Sequence, residues 1–322
     1  MATVFVTGTS GQDGSYLCEQ LLAAGHEVHG LSHGLGSAGR ALDGLHHQIT
    51  WHSGDLRDGQ QVRSVVLDVA PTEIYNLAGI SSVAQSWSEP ELTAQITGLG
   101  ALSIFDAAAE LQQRIGSPVR VVQASSAEIF GSPEKAPQNE LTPIRPTSPY
   151  GAAKAFAHHL AGVYRHRDLG VSTCILYNHE SPRRPLNFVT RKITRTVAEI
   201  SLGQADKLVL GNLDARRDWG WAPDYVAAMV LANEHAVADD YIVATGEAHS
   251  VRDFVEAAFN HVGITDWQPL VGSDPAFMRP ADPFELLGDA GKAREQLGWR
   301  PSVGFAELVQ RMVQSDLDEL TG

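Results

Sequence analysis

The stretch "TVFVTGTSGQDGSYL", residues 3–17, decides the fold class of this chain. A short apolar strand runs into a turn with glycines at positions 8, 11 and 14, and a helical pattern follows. Glycines in this GxxGxxG spacing let a pyrophosphate approach the free N–H groups at a helix N-terminus. The plainer alternative is an ordinary strand–turn–helix corner. We expect a dinucleotide at this turn, bound by Gly8, Gly11, Gln12, Asp13 and Gly14.

Strand-like and helical stretches alternate after this turn. The later strands are expected at 26–31, 49–55, 73–79, 118–125 and 171–178, with helices such as 58–69, 91–113 and 149–168 between them. This alternation predicts an α/β fold, a Rossmann-type doubly wound parallel sheet. After residue 178 the alternation loosens around helices at 188–202, 223–236, 250–263 and 303–320. We therefore predict a nucleotide-binding domain over 1–178 and a smaller, mostly C-terminal α/β substrate-binding domain over 179–322, part of which returns to the first sheet.

Composition narrows the classes of function. The 322 residues are 43% hydrophobic and 19% charged, as expected for a globular chain with a sizeable core. A net charge of −14 argues against nucleic-acid or membrane-surface binding. The two cysteines form no CxxC, and we expect a cytoplasmic protein without a membrane span or a metal site.

Further cofactor contacts are expected where other strands end. "GDLRD" (54–58) follows the third strand, where an adenine ring lies in this arrangement, so Asp55 and Leu56 are candidates. Asp55 could equally cap the next helix. The residues expected after the fourth strand are Leu77, Ala78, Gly79 and Ser81.

Tyr150 and Lys154, in "SPYGAAKAF" (148–156), lie four residues apart and should share one helix face. A nearby ammonium lowers the pKa of a phenol, which then removes a proton from a sugar hydroxyl while hydride leaves the same carbon. Upstream, "QASSAEIFG" (123–131) supplies Ser126 to hydrogen-bond the reacting oxygen and Glu128 as base or acid. The alternatives are a chance YxxxK and two polar loop residues.

Together these motifs resemble the extended short-chain dehydrogenase/reductase family, in which such a glycine turn, serine and YxxxK pair form one active site. "NHESPRR" (178–184), "FVTRKITR" (188–195), "LGNLDARRDWGWAPDYV" (210–226) and "LLGDAGKAREQLGW" (286–299) further resemble the GDP-mannose 4,6-dehydratases. The resemblance implies a lyase that moves hydride from C4 to C6 of a nucleotide sugar with loss of water. It also implies a homodimer whose interface is formed by the helix at 150–162 and the helix near 91–113. A tetramer is also possible.

The same resemblance assigns binding residues. His179 and Arg184 are expected at the nicotinamide cofactor. The expected nucleotide-sugar contacts are Ser81, Ser126, Glu128, Asn178, Glu180, Asn187, Val189, Lys192, Arg217, Arg279 and Asp282.

The charge pattern points the same way. Residues 183–217 carry eight of the 24 basic residues against three acids. Arginine pairs readily with phosphate oxygens, so a sugar diphosphate suits this basic segment. The alternative is a solvated basic helix face.

The sequence is least typical after the second strand. Ser32 and His33 stand where related dehydratases have two arginines that grip the 2′-phosphate of NADP. The end of this strand also lacks the acidic residue that NAD-specific proteins often have there. We therefore expect NADP, with Ser32, His33 and Arg40 near its 2′-phosphate, while NAD remains possible.

Two other functions are open to the sequence. A nucleotide-sugar 4-reductase or epimerase would use Tyr150 and Lys154 but would not need Glu128 as a base. A non-enzymatic NAD(P)-sensing module would need none of the catalytic residues. The intact set of Ser126, Glu128, Tyr150 and Lys154 argues against the second of these.

Overall fold

The computed structural model describes residues 1–33, 42, 44–274 and 285–322. The N-terminal part alternates strands and helices, and the loops between them meet at the two edges of one sheet. Its strands are β1 (Thr3–Thr7), β2 (Glu27–Ser32), β3 (Thr50–Ser53), β4 (Glu73–Asn76), β5 (Arg120–Ala124) and β6 (Gly170–Leu176). Its helices are α1 (Gln12–Ala23), α2 (Gly59–Val69), α3 (Val83–Ser88), α4 (Pro90–Thr93), α5 (Gly100–Ile115) and α6 (Pro149–Arg165), with a π-helical turn at Ala94–Leu99.

The C-terminal part has shorter strands. They are β7 (Asn178–Glu180), β8 (Leu208–Leu210), β9 (Arg216–Trp221), β10 (Asp240–Val243), β11 (Ala248–Ser250), β12 (Val271–Ser273) and β13 (Glu285–Leu286). The helices are α7 (Val189–Ser201), α8 (Ala222–Glu234), α9 (Val251–His261), α10 (Gly291–Gln296) and α11 (Phe305–Thr321).

Seven parallel strands form the main sheet, in the order β10-β6-β5-β4-β1-β2-β3. The predicted doubly wound parallel sheet is confirmed. The chain crosses back after residue 178, since α8 packs on β6 and β10 joins the sheet edge beside it. The boundary at residue 178 stays a prediction, because residues on both sides of it contribute to this sheet.

Apolar side chains cover both faces of the sheet, which explains why β1 is a nearly continuous apolar run. Val4 and Val6 point into one core and Phe5 into the other. The first core includes side chains of α1 and α8, and the second includes those of α2, α5 and α6. A third core holds α7, α9 and α11 against β8 and β9.

The stretch Pro90–Ile115 is long and apolar enough, by length and composition, to cross a membrane, the one such helix in the described parts of the chain. Its side chains Ile104, Phe105 and Leu111 are buried in the core beneath the sheet. Packing against that core therefore accounts for the apolar composition of this helix.

Three smaller strands pair with β9, which carries much of the C-terminal part. β7 and β13 run parallel to it and β11 antiparallel. The register pairs Asn178 with Trp219 and His179 with Gly220. This pairing holds the segment after β6 over the carboxyl ends of the main sheet.

Candidate active site

A cavity of about 680 Å³ lies at the carboxyl ends of the main-sheet strands. Its walls come from the loops after β4, β5 and β6, from α6, and from the segment 178–192. Cavities of this size suit small molecules, and open α/β sheets bind ligands at this edge.

The glycine turn beside the cavity has room only for glycine. Gly8 has φ +74°, and a Cβ there would lie 2.8 Å from the backbone nitrogen of Ala78. A Cβ on Gly14 would lie 2.1 Å from the carbonyl oxygen of Gly8. Such close backbone packing leaves the N-terminus of α1 open to an anionic group, so the turn fits the pyrophosphate of a dinucleotide. Asp13, in the first turn of α1, reaches the cavity itself.

The four expected catalytic residues line the cavity together. Ser126 follows β5 and caps a short 3₁₀ helix at Ala127–Phe130, with its Oγ accepting from the Glu128 N–H at 3.2 Å. Tyr150 and Lys154 share one face of α6, whose start at Pro149 is capped by Ser148. The strand end and the helix start therefore bring the hydroxyls, the carboxylate and the ammonium to one wall.

The electrostatics of Tyr150 differ from the expectation. Burial raises its pKa to about 12, although a hydrogen bond with Ser126 opposes this rise. The Lys154 ammonium donates to the Ala124 carbonyl at 2.7 Å and lies 5.9 Å from the centre of the phenol ring. Burial lowers the pKa of Lys154 to about 8. The pKa of Tyr150 is therefore raised and not lowered as expected, because burial outweighs the hydrogen bond with Ser126 and the positive charge of Arg184.

Asp13 and His179 form an ion pair at the cavity. The His179 Nε2 lies 2.9 Å from Asp13 Oδ2, and its Nδ1 lies 2.7 Å from the Tyr177 carbonyl oxygen. Both ring nitrogens face acceptors, so the geometry requires the doubly protonated imidazolium. Burial opposes the charge on each partner, but the other partner outweighs it. The pKa of Asp13 is lowered to about 2, and that of His179 is raised.

We predict a pH dependence of stability from this pair. The contribution of His179 is complete below about pH 6.5 and is lost as the pH rises through its raised pKa. The contribution of Asp13 is complete above about pH 4 and is lost only as the pH falls toward its pKa of about 2. The pair should therefore stabilise the fold fully between about pH 4 and 6.5.

The test compares unfolding free energies of the natural protein and Asp13→Asn from pH 6 to 10. Breaking such a buried pair should cost about 3 kcal/mol near pH 6, and the difference should shrink at higher pH. A difference that stays constant over this range would show that Asp13 acts through packing and not through the imidazolium.

The stretch "NHESPRR" lies along the cavity wall. Asn178, His179, Glu180 and Arg184 all line it. The buried Glu180 carboxylate accepts from the Thr190 hydroxyl at 2.6 Å and lies 3.3 Å from the Arg184 Nε. Glu180 thus holds the Arg184 guanidinium against the cavity, stacked 3.9 Å from the centre of the Phe188 ring.

The basic segment 183–217 is mostly structural, which corrects the interpretation based on its charge. Four of its arginines pair with carboxylates that lie outside the cavity. These pairs are Arg183 with Glu19, Arg191 with Asp316, Arg195 with Glu199 and Glu319, and Arg216 with Glu285. Within the segment, Arg184 and Lys192 are the basic side chains among the described lining of the cavity. The segment therefore mainly holds helices and strands together, and only these two of its described basic side chains face the cavity.

The other expected substrate residues divide into three groups. Ser81, Asn187 and Val189 line the cavity with those already described. Arg217 is buried on β9, where it donates to the Arg216 carbonyl at 2.7 Å, and it is not among the lining residues. Its contact with the nucleotide stays a prediction. Arg279 and Asp282 lie outside the described residues.

The expected cofactor residues extend from the cavity along the strand ends. Leu77 lines the cavity, and the main chains of Leu77 and Ala78 donate to the Thr7 hydroxyl, each at 3.1 Å. Gly79 packs closely on Thr97, and Leu56 is buried in the core beside Gly100.

Ser32 is the last residue of β2, farther along the strand ends from the cavity. The Nε2 of His33, the next residue, lies 3.0 Å from Asp55 Oδ2. The alternative of Asp55 as a helix cap is wrong, because Asp58 caps α2 by accepting from two main-chain N–H groups. Arg40 lies outside the described residues.

Several lining residues escaped the sequence analysis. Trp87, at the end of α3, lines the cavity with 48% of its surface exposed. Phe188 and Thr190 also line the cavity within the motif "FVTRKITR", in which only Val189 and Lys192 were predicted to bind substrate. No periodicity or spacing marks Trp87 as a site residue. The described residues hold no group of three or more His, Cys, Asp or Glu side chains suited to a metal ion.

The fold and the site define an extended short-chain dehydrogenase/reductase: a parallel doubly wound sheet, a glycine turn, and Ser126, Tyr150 and Lys154 at one cavity. Solved structures agree with this class. A UDP-glucose 4-epimerase of Thermus thermophilus in complex with NAD superposes with a TM-score of 0.84 at 29% identity, over 98% of each chain. Proteins of this class bind a nicotinamide cofactor and act on nucleotide sugars.

Within this class the chain belongs to the GDP-mannose 4,6-dehydratase family, whose sequence model matches residues 5–312. GDP-mannose 4,6 dehydratase 1 of Arabidopsis thaliana is 44% identical, covering 97% of this chain and 89% of the relative. The GDP-mannose 4,6 dehydratase of Homo sapiens is 42% identical, covering 97% of this chain and 91% of the relative.

Proposed function

We propose that this protein converts GDP-mannose into GDP-4-keto-6-deoxymannose and uses NADP as its nicotinamide cofactor. The observation that carries the proposal is the joint placement of Ser126, Glu128, Tyr150 and Lys154 on a cavity that Arg184 and Lys192 also line, in a chain of this family. Two hydroxyls, a carboxylate and an ammonium supply the proton transfers of a dehydration, and two cations suit a diphosphate.

In the proposed reaction, each catalytic residue acts on one atom of the sugar. Tyr150, in its phenolate form, takes the proton of the sugar O4, and Ser126, its hydrogen-bond partner, orients that oxygen. Glu128 removes the C5 proton, which the neighbouring ketone at C4 makes acidic. The C6 hydroxyl then leaves as water with one of the two protons that Tyr150 and Glu128 have accepted, and the other proton goes to C5 when hydride returns to C6. NADP, when bound, would supply the hydride acceptor for C4 and the hydride donor for C6.

Lys154 has a supporting role. Its ammonium is fixed by the Ala124 carbonyl at the end of β5 and adds positive charge on the Tyr150 side of the cavity. Its lowered pKa of about 8 keeps it largely protonated at neutral pH. We assign it the task of favouring the phenolate and of holding the nicotinamide ribose.

The direct test is incubation of the purified protein with GDP-mannose and NADP, followed by mass analysis of the nucleotide sugar. A product lighter by the mass of one water is expected. A product heavier by two hydrogens would indicate a 4-reductase, and an unchanged mass with altered stereochemistry a 4-epimerase. Either of these outcomes would replace the proposed reaction. An unmodified substrate would favour a non-enzymatic sensing role.

We also propose that the protein is a cytoplasmic homodimer. Three large apolar side chains are exposed on α6 and the neighbouring helix: Leu99 at 50%, Phe156 at 42% and Val163 at 53%. Exposed apolar side chains that share one surface are typical of an interface between subunits. The mass of the protein in solution tests this assembly.

A further inference from the structure

The cluster of Arg57, His33 and Asp55 lies beyond the catalytic cavity, at the ends of β2 and β3. β2 and β3 are parallel and pair Ser32 with Ser53, so the residues just after both strands meet at one edge of the sheet. In dinucleotide-binding sheets this edge lies beside the adenosine ribose, where the 2′-substituent decides between NAD and NADP.

Arg57 carries the permanent positive charge of this cluster. Its Nε donates to Asp55 Oδ2 at 2.8 Å and its Nη2 to the same oxygen at 2.5 Å. The Nη2 also lies 3.3 Å from His33 Nε2. One carboxylate oxygen therefore draws a guanidinium and an imidazole together next to the end of β2.

The cluster is accessible to a ligand. The side chains of Arg57 and His33 are 47% and 73% exposed. The two hydrogen bonds to Asp55 use the Nε and Nη2 of a guanidinium that has five N–H donors. Its Nη1 amino group therefore suits a phosphate oxygen, which arginine binds more readily than any other side chain in a forked geometry.

The negative charges nearby are already engaged. Asp55 Oδ1 accepts from the Arg57 main-chain N–H at 2.9 Å, while Oδ2 takes the guanidinium. The Asp58 carboxylate accepts from the N–H groups of Gln60 and Gln61 at the start of α2. Both carboxylates are therefore engaged with donors of this same loop and helix start.

We propose that Arg57, supported by His33, binds the 2′-phosphate of NADP and so determines the preference for NADP over NAD. This inference rests on the proposed use of NADP. Arg57 lies after β3 and not at the end of β2, where the residues for the 2′-phosphate were predicted.

The experiment measures the dissociation constants of NADP and NAD for cofactor-stripped natural protein, Arg57→Ala and Arg57→Lys. Arg57→Ala should weaken NADP binding at least about 10-fold and NAD binding less than about 3-fold, because only NADP carries the 2′-phosphate. Arg57→Lys should restore part of the loss, since it keeps the charge without the forked donors. The loss should also shrink at high salt, which screens exposed charges.

Arg63→Ala is the matched control. Arg63 lies on α2, is 41% exposed, and pairs with Glu110 away from this cluster. It should leave both dissociation constants unchanged. An unchanged NADP affinity in Arg57→Ala would overturn the inference. So would an equal loss for NADP and NAD, which would mean that Arg57 only holds the Asp55 loop.

The two proposals fail separately in this design. The ratio of the dissociation constants in the natural protein tests NADP as the cofactor. The change of the NADP constant between the natural protein and Arg57→Ala tests the role of Arg57, whichever cofactor the natural protein prefers.

Discussion

Replacing Glu128 by glutamine should lower kcat by about 10²–10⁴-fold, the usual contribution of a general acid or base, and should stop the reaction after the first hydride transfer. The amide keeps the shape of the side chain on the cavity wall but cannot accept the C5 proton. Proton removal from O4 by Tyr150 and hydride transfer from C4 to the cofactor should remain intact. We therefore expect the near-ultraviolet absorbance of reduced nicotinamide to accumulate on the enzyme when Glu128→Gln is mixed with GDP-mannose.

Isotope exchange gives an independent measurement of the same step. In deuterated water the natural enzyme should introduce deuterium at C5 of the sugar, whereas Glu128→Gln should introduce almost none. Glu134→Gln is the matched control, because Glu134 is 83% exposed and pairs with Arg145 on the loop after the active-site segment. Normal elimination by Glu128→Gln would show that another group is the base.

Replacing Tyr150 by phenylalanine should abolish C4 oxidation, with kcat lower by about 10²–10⁴-fold. The ring is buried and its hydroxyl is hydrogen-bonded with Ser126. The substitution removes the oxygen that, as phenolate, accepts the O4 proton, and it leaves the ring to fill the same space. Binding of GDP-mannose and of the cofactor should change by less than about 10-fold, because one neutral hydrogen bond contributes about 0.5–1.5 kcal/mol.

Unlike Glu128→Gln, this variant should accumulate no reduced cofactor, since the block comes before the first hydride transfer. Tyr241→Phe is the control for loss of a tyrosine hydroxyl. The Tyr241 hydroxyl lies near His235 and Gln296 and is not among the cavity-lining groups. If Tyr150→Phe still reduced the cofactor at the natural rate, the proton acceptor for O4 would have to be another residue, with Ser126 and Glu128 the first to test.

Local patterns predicted most of the fold. The largely apolar stretches of β1, β5 and β6 identify strands buried on both faces, and each strand ends within two or three residues of its predicted boundary. Pro149 after a proline-rich loop marks the start of α6, where Ser148 provides the cap. These features depend on the backbone preferences and the spacing of apolar side chains over a few residues. The local amino-acid sequence is therefore enough to predict them.

The candidate site was predictable where one local element supplies several of its residues. The spacing of Tyr150 and Lys154 fixes them on one face of α6, and the glycines at 8, 11 and 14 fix the turn before α1. The long motif at 178–195 located the cavity wall, although the residue that orients Glu180 is Thr190, ten positions away. Trp87 and Arg57 carry no such local signal, because each reaches its site through the packing of a separate element.

The sequence by itself determined the parallel α/β sheet, the glycine turn before α1 and the residues that we propose as catalytic. Tertiary structure decided what the charges do. It paired Arg183, Arg191, Arg195 and Arg216 with distant carboxylates, so that a segment basic in composition is largely neutralised. It joined Asp13 to His179 across 166 positions and drew Arg57 to His33. Coulomb interactions and burial depend on distances between atoms in space, and those distances are set only when the strands pair and the helices pack.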